Sequence, residues 1–158
     1  MSVTETCFVS HLEGAIDGAR LEPQRIHTLH EGRPIWVRYD LDSIRHAVTK
    51  NDLVGRPPNI WRYKELLPVF DMSKLVSFGE GMSPLLNSPR LGTSLGIEDL
   101  WIKDESQLPT GSFKSRGMAM AVTMANHFGI TSVALPTAGN AGGAAAAYAA
   151  RAGMTCHV

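Results

Sequence analysis

From Leu100 onward the chain alternates short apolar runs with Pro/Gly-rich loops and long stretches of apolar and small residues, and nothing else in the sequence constrains the fold as much. The pattern predicts a strand over 100–103, a helix over 113–128 ended by Gly129 and a strand over 132–135. A helix over 141–152 ended by Gly153 and a strand beginning at 155 complete it. This β-α-β-α-β order is the signature of an α/β fold built on a three-layer parallel sheet. A last strand over 155–158 would be central in such a sheet and would need cover on both faces. Residues 46–158 are therefore expected to be the N-terminal part of a longer α/β region, incomplete at its C-terminus.

Upstream the pattern is weaker. Residues 1–45 read as an N-terminal arm with a hairpin, punctuated by Gly14, Gly18, Pro23, Gly32 and Pro34, with a strand at 35–39. A short helix is expected over 43–50, a loop over 50–59, and a short amphipathic turn or helix over 61–67 closed by Pro68. The pair Gly79 and Gly81 lacks the third glycine and the following helix of a dinucleotide fingerprint, and reads as a turn before an edge strand at Leu85 and Leu86. Cys7, His11, His27 and His30 have a spacing that could be offered as a zinc site. A single thiolate is too few for a structural zinc, so no metal is expected.

Lys and Arg number 15 and Asp and Glu number 15, so no net charge points to nucleic acid or to an anionic membrane surface. No window is apolar for long enough to span a membrane, and Met1 to Glu5 carry no basic start of a leader, so a cytoplasmic location is expected. Cys7 and Cys156, at opposite ends of the chain, indicate no disulfide framework.

Two loops carry the chemistry. In residues 109–117, Pro-Thr-Gly-Ser-Phe-Lys-Ser-Arg-Gly, the helix start holds Lys114 in its first turn, where the helix dipole disfavours a cation. The helix that follows is apolar nearly all round and so is expected to be buried, which would strip water from Lys114 and free its amine to attack carbonyls. That is the chemistry of a Schiff-base lysine. The second loop, 135–143, leads into an alanine-rich helix. Its N–H groups suit a carboxylate or phosphate, and its small residues serve equally well for close ligand approach or for tight helix packing. Lys114 and Asn140 both lie just beyond the carboxyl end of a strand, where α/β sheets bind ligands. An aldehyde cofactor with an amino-acid substrate fits this pairing, and pyridoxal phosphate fits best.

Residues 109–117 resemble the lysine motif of the fold-type II pyridoxal-phosphate enzymes, the tryptophan synthase beta-like group, and residues 137–141, Thr-Ala-Gly-Asn-Ala, resemble their asparagine loop. Within that group, residues 37–41, 61–63 and 79–85 are similar to upstream segments of threonine synthases. The resemblance implies that Lys114 carries pyridoxal 5'-phosphate and shuttles protons, that Asn140 bonds the cofactor's phenolic oxygen, and that Phe113 lies near its ring. Thr137, Ala138, Gly139, Asn140 and Ala141 would hold the carboxylate of a small amino-acid substrate. It further implies conversion of O-phosphohomoserine and water to threonine and phosphate, by a monomer or homodimer.

The chain departs from that pattern in two places. Ala138 and Ala141 stand where many relatives have threonines, which leaves a threonine or serine dehydratase, or a diaminopropionate-type ammonia-lyase, as an alternative. His27 and His30 stand near the place of a Cys pair in the zinc ribbon of some relatives. The resemblance also puts the phosphate-binding loop and the partner of the pyridine nitrogen beyond Val158, so this chain alone is expected to bind cofactor poorly. A non-catalytic truncated product is the alternative of another class, and the intact Lys114 argues against it.

Overall fold

A computed structural model describes residues 7–158; the reading of Met1 to Glu5 and the first six residues of the arm lie outside them. The described chain forms two compact units, one of the residues up to Leu75 with Thr123–Ile130, the other of Val76–Val122 with Thr131–Val158.

The first unit begins with three antiparallel strands, β1 (Val9–Gly14), β2 (Arg20–Leu21) and β3 (Ile35–Tyr39), in the order β2-β1-β3. The expected strand at 35–39 is β3, and its partner β1 went unread because polar residues interrupt it and its pairing shifts register between Val9 and His11. Helix α1 (Leu41–Ala47) starts two residues before the expected position. Asp40 caps it by accepting from the Ser43 N–H at 2.9 Å, and the extended, β-branched Val48 ends it. A 3-10 turn over Ile60–Leu66, capped by Asn59, buries Trp61 and leaves Tyr63 exposed. Arg56 straps this segment through a two-pronged pair with Glu65 at 2.8 and 2.9 Å. The histidines of the arm have separate partners: His11 pairs with Glu13, His27 with the Glu22 carbonyl and His30 with Asp17.

In the second unit, β4 (Leu85–Asn87) leads through helix α2 (Pro89–Leu95) to β5 (Trp101–Lys103), and β4 and β5 pair antiparallel. Helix α3 (Lys114–His127) opens in this unit. After it come β6 (Ser132–Ala134), helix α4 (Asn140–Arg151) and β7 (Thr155–His157), with β6 and β7 parallel, Val133 opposite Cys156. The core holds Val76, Leu108, Ala119, Val122, Ala144, Ala145, Tyr148, Ala149 and Met154. Both long helices stop where glycine was expected to stop them. Gly129 takes φ 71°, and the Ile130 N–H reaches back to the Ala125 carbonyl at 2.9 Å, while Gly153 follows α4 in the same role.

Two expectations change. The strand at 100–103 forms, but β5 pairs with β4 and not with the parallel pair β6–β7, so the described strands do not make one parallel sheet. A strand's own sequence sets its alternation and not its neighbour. The antiparallel choice comes from the α2 excursion that brings the chain back beside β4. Helix α3, for its part, is buried along one stripe only, Ser115, Ala119, Val122 and Thr123, with Gly117 and Ala121 exposed. Met and Ala occupy half-buried positions as readily as core ones, which hid the stripe.

Helix α2 ends where the Ile97 N–H bonds the Gly92 carbonyl at 2.9 Å, and a Cβ on Gly92 would lie 2.7 Å from the Ile97 oxygen. Gly92→Ala is expected to lower stability by about 1–3 kcal/mol in urea unfolding. An unchanged midpoint would show that this turn gives way freely.

Candidate active site

The lysine loop is built from the chain's polar residues. Asp104 accepts from the Ser106 N–H at 3.0 Å to start one 3-10 turn, and Pro109 opens a second over Pro109–Gly111. Thr110 in that turn is at φ 64°, a costly conformation for a β-branched residue that the surroundings must enforce. Ser112 is extended, and its carbonyl accepts from the Ser115 hydroxyl at 3.0 Å, which sets the first turn of α3. Lys114, the first residue of that helix, is half-buried, and its Nζ lies 4.5 Å from the centroid of the exposed Phe113 ring. The Ser112 hydroxyl, next but one in sequence to Lys114, is buried without a hydrogen-bond partner.

A charged clamp ties this helix start to the turn before β4. Arg116 donates to Glu105 through Nε at 2.6 Å and Nη2 at 2.9 Å, and the Ser83 hydroxyl donates to the same carboxylate. Lys103 Nζ closes the group on the Ser83 carbonyl at 3.0 Å. The Arg116 hydrogen bonds, helped by Ser83, hold the Glu105 carboxyl down at about 2, against an ordinary 4.5.

The asparagine loop runs from β6 into α4. The Thr137 hydroxyl accepts from the N–H groups of Gly139 and Gly142, each at 3.0 Å, and folds the loop over the helix start. Gly139 makes that turn at φ 143°, which no other residue adopts easily. Thr137, Ala138, Gly139 and Asn140 are exposed and Ala141 is half-buried. The N–H groups of Asn140 and Ala141 make no hydrogen bond among the described residues. The two uses open to the small residues are divided between them. Gly142 serves packing, since its Cβ would lie 2.5 Å from Thr137 Cγ2, whereas a Cβ on Gly143 would meet nothing within 4 Å.

The 3-10 turn ahead of Lys114 packs against α4, so the two loops belong to one cluster, but no hydrogen bond joins Lys114 to Asn140. Sequence reasoning passed over the Arg116–Glu105–Ser83 clamp, and it also passed over a buried pair behind the site, Glu80 and Tyr148. Both of these had a signal. Glu80 is a charge between two glycines, and Tyr148 is the one large residue in a run of alanines.

Comparison with known proteins adds what geometry does not. Residues 76–158, just over half of the chain, match the model of the pyridoxal-phosphate dependent enzyme family. The chain is similar to the threonine synthase of Methanocaldococcus jannaschii, with 43% identity over 133 residues covering 84% of this chain and 33% of that protein. It is also similar to those of Methanosarcina acetivorans (42% identity, covering 75% and 28%) and Mycobacterium leprae (47%, covering 65% and 28%). The chain thus spans a third or less of the length of these relatives.

The Glu105 carboxyl is lower in the folded than in the unfolded chain, so its stabilising effect is complete above about 4.5 and is lost as pH falls toward about 2. Urea unfolding at stepped pH should show that part of the acid loss disappear in Glu105→Gln. Parallel pH profiles for the two proteins would mean that the clamp contributes nothing to it.

Proposed function

Because the chain belongs to the pyridoxal-phosphate dependent enzymes, we propose that the protein converts O-phosphohomoserine and water to threonine and phosphate, with Lys114 as its catalytic lysine. The observation that carries this reading is that the half-buried Lys114 follows a turn packed against α4, whose first N–H groups, of Asn140 and Ala141, have no acceptor among the described residues. The residues present suit the cofactor: an amine for its aldehyde, an amide for its ring oxygen, and open backbone at Gly143 for close approach. When bound, pyridoxal phosphate supplies an electron sink for carbanions at the substrate carbon that bears the amine.

On this reading the Lys114 amine holds the cofactor's aldehyde and later moves a proton at substrate carbon. The Asn140 side chain donates to the phenolic oxygen and Phe113 borders the ring. The backbone of 137–141 orients the substrate carboxylate, with Thr137 folding Ala138 and Gly139 into place. The clamp on Arg116 holds the helix that presents the amine. The complete sheet of the protein is proposed to be the three-layer parallel sheet of the fold-type II enzymes, with β6 and β7 as two of its strands. Residues 1–45 would form an arm and 46–158 part of the catalytic region, although the family match itself begins at Val76.

The absence of side-chain hydroxyls at Ala138 and Ala141 favours a second reading, a dehydratase or ammonia-lyase acting on threonine or serine. The two are separated by product analysis of the full chain as the organism makes it. Phosphate released from O-phosphohomoserine, with a rate that Lys114→Ala lowers by at least about a thousandfold, is the expected result. Ammonia and a 2-oxo acid from threonine, with no phosphate from O-phosphohomoserine, would replace the first reading by the second.

A further inference from the structure

Behind the two loops, inside the same unit, is a carboxylate with no exposed surface. Glu80, Ser115 and Tyr148 are all fully buried. Glu80 Oε2 accepts from the Tyr148 hydroxyl at 2.7 Å and from the Phe78 N–H at 2.9 Å, and Oε1 accepts from the Ser77 hydroxyl at 2.9 Å. Burial, followed by the negative charge of Glu80, raises the Tyr148 phenol well above its usual range, while the Ser115 hydroxyl acts on it in the opposite direction. Tyr148 therefore stands between the residue after Lys114 and the turn at Glu80.

The same turn holds α4 a second time. Arg151 Nε donates to the Ser77 carbonyl at 2.8 Å, its guanidinium lies 5.2 Å over the Phe78 ring, and Phe78 meets Tyr148 edge-on at 5.0 Å. Tyr148 follows Ala141 by seven residues, two turns along the same side of α4. A rotation of α4 at Tyr148 would therefore change the direction in which the N–H groups of Asn140 and Ala141 face the lysine loop. Solvated loop residues cannot resist such a rotation, whereas a buried, fully satisfied hydrogen-bond group can.

We propose that Glu80 is a positioning residue: acting through Tyr148, it fixes the rotation of α4, and with it the direction in which Asn140 and the first N–H groups of that helix face the lysine loop. This rests on the functional reading above. Glu80→Gln is the conservative variant, because an amide oxygen in the place of Oε2 still accepts from Phe78 and Tyr148, and the amide nitrogen can donate to Ser77. Glu80→Ala and Tyr148→Phe break the link from either end.

The full chain as the organism makes it is incubated with graded pyridoxal phosphate, reduced with borohydride, and analysed by mass spectrometry for label on Lys114. Amide exchange at Gly142 and Gly143 is followed in cofactor-free protein. In Tyr148→Phe and Glu80→Ala, the cofactor concentration for half-labelling and the exchange rate should each rise roughly tenfold, while Glu80→Gln stays within about twofold of wild type. Tyr148→Phe keeps the ring and removes only the hydroxyl that bonds Glu80, so impairment there is a result that loss of packing does not produce. Wild-type labelling and exchange in Tyr148→Phe, or a Glu80→Gln protein as impaired as Glu80→Ala, would overturn the inference. A wild type that takes no label on Lys114 would sink the lysine's role, and the exchange rates would then decide the positioning of α4.

Discussion

The hydrogen bond between Tyr148 and Glu80 is the interaction on which the second unit depends. A carboxylate stripped of water is costly unless every lone pair in reach is answered. Here the answers come from three directions: a phenol on α4, a backbone N–H at Phe78 and the Ser77 hydroxyl. None of these donors can leave without stranding the charge. A group that expensive therefore specifies one arrangement of the turn and the helix, where an apolar contact between Leu and Ala would tolerate several.

The second charged cluster works differently. Glu105 is only partly covered; Arg116 and Ser83 donate to it, and Lys103 donates to the Ser83 carbonyl beside it. Its attraction is screened and modest in energy, but its geometry is restrictive, because a planar guanidinium accepts a carboxylate in few orientations. The clamp thus sets direction for the start of α3, and the buried pair sets direction for α4. Strained backbone falls in the segments they join, Met82 at φ 48° in one and Thr110 at φ 64° in the other.

Much of this was legible in the sequence, and the residues show why the rest was not. Helix stops at Gly129 and Gly153, the strands at 132 and 155, and the two candidate loops follow from periodicity and turn chemistry, which are local properties. The partner of β5 is not local, and neither is the burial stripe of α3. Glu80 and Tyr148 lie 68 residues apart in the chain. Each is odd in its own surroundings, a charge among glycines and a ring among alanines, but oddness does not identify a partner. The loop around Asn140 was readable as a loop, whereas its shape depends on one hydroxyl, that of Thr137.

That hydroxyl has a consequence for what the loop accepts. A threonine oxygen offers two lone pairs and one proton. With both lone pairs taken by the N–H groups of Gly139 and Gly142, the proton is its only remaining valence. Thr137 can give a hydrogen bond there and cannot receive one. The N–H groups of Asn140 and Ala141 share that polarity and have no acceptor among the described residues. Donors of that kind suit an oxyanion, although the loop contains no charged residue.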